Sequence, residues 1–139
     1  QNLINFYKKE NSDGDHQYRI ASIYYKKQNY EQALVELQIL LENYPKSPWA
    51  EETKFKIIEI LYALNRCPEA RQQYRHFNLD YSHSRFKSEM DFVVASCLEE
   101  EGHLKDAYKR FKSLEGRYTY PAILKMKLVG IEKRIEKKR

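Results

Sequence analysis

The sequence predicts an all-α protein, built as three helical hairpins in tandem and closed by a C-terminal capping helix. Three observations predict it. Side chains of matching character recur every 37 residues, the apolar ones fall at helical spacing within each copy, and the 139 residues contain only four Gly and four Pro. Few of either residue means long helices joined by short connections.

The period is carried by whole sets of residues. Ala33, Ala70 and Ala107 are identical, as are Tyr44, Tyr81 and Tyr118. Tyr18, Phe55 and Phe92 are all aromatic. Tyr24, Leu61 and Leu98, then Leu37, Tyr74 and Phe111, then Leu40, Phe77 and Leu114, keep their apolar character, and Ala21, Ile58 and Ala95 complete the register. A fixed period of this length marks a repeat architecture.

Each element follows in order. Residues 1–13 form an N-terminal segment expected to be the remnant of a preceding helix, because Leu3, Ile4, Phe6 and Tyr7 are apolar and Asn11 to Asp15, with Gly14, break the pattern. The chain starts at Gln1 rather than Met, so it is expected to be a processed or truncated piece of something longer. The three copies span residues 14–50, 51–87 and 88–121. In the first, Ile20 and Tyr24, then Ala33, Leu37, Leu40, Leu41 and Tyr44, follow the i, i+3, i+4, i+7 rule on either side of Lys27-Gln28-Asn29. The corresponding breaks are Asn65-Arg66-Cys67-Pro68 and Glu101-Gly102-His103, where Pro68 suits a first helical turn and Gly102 a left-handed position after a helix. Between copies, Tyr44-Pro45-Lys46-Ser47-Pro48 ends one helix and opens the next, with Ser47 expected as N-cap, Pro48 at the first position, and Glu51 and Glu52 facing the helix dipole. The alanines let paired helices approach closely, and stacking of hairpins supplies the core that one hairpin lacks. Residues 122–139 are a basic capping helix opened by Pro121, with Leu124, Leu128, Ile131 and Ile135 as its apolar stripe and basic residues over the rest.

Composition bounds the function. Apolar residues make up 42% and charged residues 32%, an ordinary soluble balance that fits one domain. The net charge of +5 lies wholly in residues 122–139, where seven basic side chains meet two acidic ones; residues 1–121 carry 18 of each sign. That charge could attract nucleic acid or an anionic membrane surface, but a solvated face around a capping helix is the better account, and nucleic acid is not expected as a partner. Cys67 and Cys97 are too few for a disulfide scaffold and fall where helix packing wants a small apolar residue. Buried free thiols are expected in preference to a bridge between them.

Catalysis has no motif. His16, His76, His83 and His103 form no His-Glu-x-x-His, there is no Cys-x-x-Cys, Gly-rich phosphate loop or Gly-x-Ser-x-Gly, and the spacing of Cys67, His76 and His83 matches no common zinc pattern. Glu99, Glu100 and Glu101 run along a helix and are expected to be solvated. No catalytic residue, metal or cofactor is expected.

These hairpins resemble the tetratricopeptide repeat. In copy one, Ile20-Ala21, Tyr24, Tyr30, Ala33, Leu37, Leu40 and Pro45 fall on the family's Leu-Gly, Tyr, Tyr, Ala, Phe, Ala and Pro positions. Copy three matches with Ala95, Leu98, Gly102, Leu104, Ala107, Phe111 and Leu114. Copy two departs from the pattern at Cys67 and Ser82, and the motif's first Trp is replaced throughout by Gln17, Lys54 and Asp91. The spacing of 37 and the Asn43-Tyr44-Pro45-Lys46-Ser47 linker look like a bacterial envelope branch of the family, which includes the lipoprotein of the β-barrel assembly machinery and the Tol-associated periplasmic protein.

The resemblance implies a right-handed α-solenoid and a non-catalytic scaffold that binds a protein or peptide in its concave groove, as part of an envelope assembly in the periplasm. A cytoplasmic adaptor of the same fold is the alternative, and an anionic-surface binder acting through the basic helix is another. The family's groove is lined by the first helix of each hairpin, which here gives Tyr18, Ser22 and Tyr25, then Phe55, Lys56, Glu59 and Tyr62, then Phe92, Ser96 and Glu99. The aromatic column Tyr18, Phe55 and Phe92 would carry binding energy, with Lys56, Glu59 and Glu99 setting specificity; the competing reading is that the rings are ordinary core. The carboxylate clamp of chaperone-tail adaptors is absent, because its positions hold Tyr18, Ser22, Lys56, Glu89 and Val93.

Overall fold

The computed structural model describes residues 13–138, and the segment ahead of Asp13 lies outside the described residues. Among the described residues there are seven α-helices and no strand: α1 Asp15–Lys26, α2 Tyr30–Asn43, α3 Ala50–Ala63, α4 Cys67–Asp80, α5 Lys87–Glu100, α6 Leu104–Ser113 and α7 Pro121–Lys137. The protein is an all-α helical repeat.

The turn that folds each hairpin is the same three times. The amide of Gln28 donates to Tyr25 and that of Asn29 to Tyr24; Asn65 and Arg66 repeat this with Tyr62 and Leu61, and Gly102 and His103 with Glu99 and Leu98. This is the Schellman pattern, which satisfies the last carbonyls of a helix at the cost of one left-handed residue. Gly102 takes that position at φ +85°, as its type predicts; Asn65 (φ 62°) is the side chain that tolerates it best, while Gln28 (φ 61°) takes it with a side chain that opposes it.

The linker between copies corrects one expectation. Ser47 does not cap α3, which starts only at Ala50 with Pro48 left in the preceding turn. Its hydroxyl instead accepts the Trp49 amide at 3.0 Å and donates to the Asp13 carbonyl. Ser84, one period on, accepts the Phe86 amide at 3.0 Å in the same way. The serine closes a turn just before the helix, and in the first linker that turn brings Trp49 back to the ring of Tyr18. Gly14 packs under this linker at φ +83°, where a Cβ would sit 3.2 Å from Leu40 and 3.4 Å from Ser47 and Tyr44.

The chain divides into two compact units, with the boundary between Arg66 and Cys67. In the first, α1 packs on α2 and α2 on α3, burying Ala21, Ala33, Leu37, Leu40 and Ile58. In the second, α4 packs on α5, α5 on α6 and α6 on α7. Its core comprises Ala95, Leu104, Ala107, Phe111, Leu114, Leu124, Leu128 and Ile131. The inward stripe of α7 is thus the expected one. Its outer face is not polar throughout, however, because Ile123, Met126 and Val129 are exposed by 47%, 75% and 41%.

The cysteines are a second correction. Cys67 and Cys97 are buried but not free: they form a disulfide with Cα atoms 5.6 Å apart. Cys67 opens α4 and Cys97 lies in the third turn of α5, so two small buried positions from successive hairpins face each other. The bridge closes a loop across a sequence separation of 30. Beside it Arg71 of α4 pairs with Glu101.

Two predictions follow from this geometry. Reduction of the bridge should lower the stability of the second unit by about 3–4 kcal/mol, the loop-closure entropy of a ring this size. Urea melts with and without reductant measure it, and alkylation of native protein should find no thiol before reduction. At the left-handed positions the signs should oppose: Gln28→Gly stabilises by about 0.5–1 kcal/mol, whereas Gly14→Ala destabilises by about 1–2 kcal/mol or more, read as shifts in thermal midpoint.

Candidate interaction site

Residues 18, 21, 22, 25 and 26 share one face of α1, since side chains three and four apart are neighbours on a helix. Tyr18, Ala21, Ser22, Tyr25 and Lys26 there line a cavity of about 220 Å³, which Leu37 of α2 and Lys56 of α3 complete. Ala21 and Leu37 make an apolar floor. Two phenols and two ammonium groups surround it.

Each aromatic wall is fixed by contacts. Tyr18 stacks on Trp49 with ring centroids 4.3 Å apart and planes 11° from parallel, and its hydroxyl donates to the Glu52 carboxylate. Burial first, and then that hydrogen bond, hold the Tyr18 phenol well above its ordinary pKa, so it stays a neutral donor. Tyr25 meets Tyr30 edge-on at 5.8 Å, and the Lys56 ammonium lies 4.5 Å from the Tyr25 ring centre. Burial, followed by the Glu59 charge, raises the Tyr25 pKa as well. Lys56 is also 3.5 Å from Glu59, one turn along α3. Ser22 donates back to the Tyr18 carbonyl at 2.9 Å, which leaves its oxygen lone pairs as acceptors.

Of the ten residues that the resemblance implies, the structure brings Tyr18, Ser22, Tyr25 and Lys56 together around one cavity, with Glu59 against Lys56. Phe55 is only 6% exposed and belongs to the interior of α3, and Tyr62 is half-buried further along the same helix. The remaining three lie on α5. Phe92 stacks on Tyr118, with centroids 4.4 Å apart and planes 3° from parallel, and meets Phe111 edge-on at 5.1 Å. Ser96 is 2% exposed and donates to the Phe92 carbonyl at 2.9 Å. Glu99 accepts from Lys127 at 2.8 Å and Arg134 at 3.1 Å, both from α7. These three side chains are committed to packing and pairing inside the second unit. Glu99 is therefore not simply solvated, and two of the basic side chains of α7 are ion-paired.

Sequence reasoning missed Trp49, Glu52 and Lys26 at this site. Glu52 sits in the first turn of α3, as a dipole partner should, but it also takes the Tyr18 hydroxyl. Trp49 had two signals: it is the only Trp in the chain, and Phe86 repeats an aromatic residue one period on, two residues after the linker serine. Among the described residues no three His, Cys, Asp or Glu side chains converge as metal ligands, and no helix is long and apolar enough to cross a membrane.

Around its apolar floor the cavity presents two aromatic rings, the Ser22 oxygen as an acceptor and two cations. No curated protein matches the chain. The tetratricopeptide repeat family model matches residues 17–47, the stretch that carries most of α1, all of α2 and the start of the Ser47 turn, and so supports a tetratricopeptide-repeat reading of the α1–α2 hairpin.

Proposed function

We propose that this chain is a non-catalytic protein-interaction module that takes a partner segment into the cavity between α1 and α3. Tetratricopeptide repeats generally mediate protein–protein interaction, and the observation that carries the reading here is the convergence of Tyr18, Tyr25 and Lys56 around an apolar floor. Rings held by stacking lose little entropy on contact, which is why aromatic anchors dominate binding energy. The cavity is sized for one large side chain of a partner, with the flanking backbone meeting Ser22 and the lysines.

The buried disulfide favours a compartment. Structural disulfides persist in oxidising surroundings and are rare in the cytosol. This supports a role in a bacterial envelope assembly over a cytoplasmic adaptor, in line with the linker and spacing.

Capture from an envelope extract tests both parts. Tyr25→Ala and Lys56→Glu should each weaken retention of the partner by roughly tenfold with helicity retained, beyond the small drop in melting that the lost Tyr30 and Glu59 contacts bring. Phe92→Ala should do the reverse, costing about 3 kcal/mol of stability through lost packing on Tyr118 and Phe111 and leaving affinity intact once folded. Equal retention by wild type and the Tyr25 and Lys56 variants would remove the cavity from the binding site.

A further inference from the structure

The outer face of α7 has a composition that a solvated cap does not need. Ile123, Met126 and Val129 succeed one another every three residues and are all exposed, and Tyr120, just before the helix, is exposed by 56%. Small residues Ala122 and Gly130 share that face, and nothing lies within 4 Å of a Cβ built at Gly130. From Gly116 to Ile131 there is no acidic residue. The first one, Glu132, accepts the Tyr108 hydroxyl at 2.6 Å. Lys127 and Arg134 are taken by Glu99, but Lys125, Lys133, Lys137 and Lys138 are exposed and carry no ion pair among the described residues. Free cations thus flank and follow an exposed apolar stripe.

We infer that this face of α7 docks on the surface of an anionic phospholipid bilayer, with the helix lying in the plane of the interface. The charge complementarity selects the occupant. Lysines beside the stripe would run their methylene stems along the acyl boundary and place their ammonium groups among lipid phosphates, while Ile123, Met126 and Val129 enter below them. Tyr120 has the amphipathic ring that suits the headgroup level. Nucleic acid would use the cations but gain nothing from Met126, the most exposed residue of the stripe. A second copy would bring the same lysine-rich surface against itself. A bilayer meets both features and requires no shape-matched groove. This face shares no residue with the α1–α3 cavity, so neither reading rests on the other.

Co-sedimentation of the full chain with vesicles tests the inference. Vesicles of phosphatidylglycerol in phosphatidylcholine should bind the protein, and pure phosphatidylcholine should not. Met126→Asp should weaken binding by about tenfold or more and Met126→Leu should preserve it. Each of Lys125→Gln and Lys133→Gln should cost about fivefold, the value of one lysine near an anionic surface. All three side chains are exposed, so helicity and melting should not change. Three results would overturn the inference: no binding to the anionic vesicles at low salt, binding that Met126→Asp leaves intact, or a lipid-free dimer that Met126→Asp dissolves.

Discussion

Two helices joined by a turn of three residues have no freedom to splay, so their axes approach as closely as the side chains between them allow. Ala21 and Ala33 meet this demand where α1 packs on α2, and Ala95 and Ala107 meet it where α5 packs on α6; all four are almost wholly buried. A larger side chain at any of them would force the pair apart and strain the Schellman turn that joins it. The turn and the alanines therefore specify each other. This explains why the chain tolerates Gln28 in a left-handed conformation: the packing of α1 on α2 holds a turn that the residue alone would not choose.

The same closeness creates the cavity. Ala21 leaves a shallow floor on α1, and the residues around it on that face, Tyr18 and Tyr25, are long enough to stand above it as walls. A cavity of this kind needs walls that do not collapse inward. Here Trp49 and Glu52 restrain Tyr18, while Tyr30 and Lys56 restrain Tyr25. The linker thus has a second task beyond connecting copies, because the Ser47 turn is what returns Trp49 to the Tyr18 ring.

The fold was legible because it is written in period and spacing, and both are local. The 37-residue register, the hairpin breaks and the inward stripe of α7 all follow from residue type at fixed offsets. What was not legible depends on which side chain meets which across helices. Tyr18 and Phe92 occupy the same position in their copies, and each finds a nearly parallel ring from the linker that follows. Tyr18 ends with a polar tip at Glu52 beside a cavity, whereas Phe92 is enclosed by Tyr118 and Phe111. Register places both on the same helix face and cannot see those partners. The disulfide escaped for the same reason: each cysteine reads correctly as a small buried residue, and only the packing of α4 on α5 reveals that the two are neighbours.

Charge shows how far position in the chain departs from position in space. The tail of seven basic residues looks uniform in sequence, yet α7 sorts it by angle around its axis. Lys127 and Arg134 point to the border with α5, where they close on Glu99 and lock the last helix to its neighbour. Lys125, Lys133 and Lys137 face elsewhere, around Met126. Part of the excess charge is therefore an internal clasp, in which one carboxylate offsets one of the two cations. Only the remainder is available to the surroundings, and it sits beside the apolar stripe that packing left uncovered. A helix whose inner face alone was selected for packing would have no reason to keep Ile123, Met126 and Val129 on the other side. Three such residues in register cost solubility when left in water, and that cost is the physical argument that this surface meets something other than solvent.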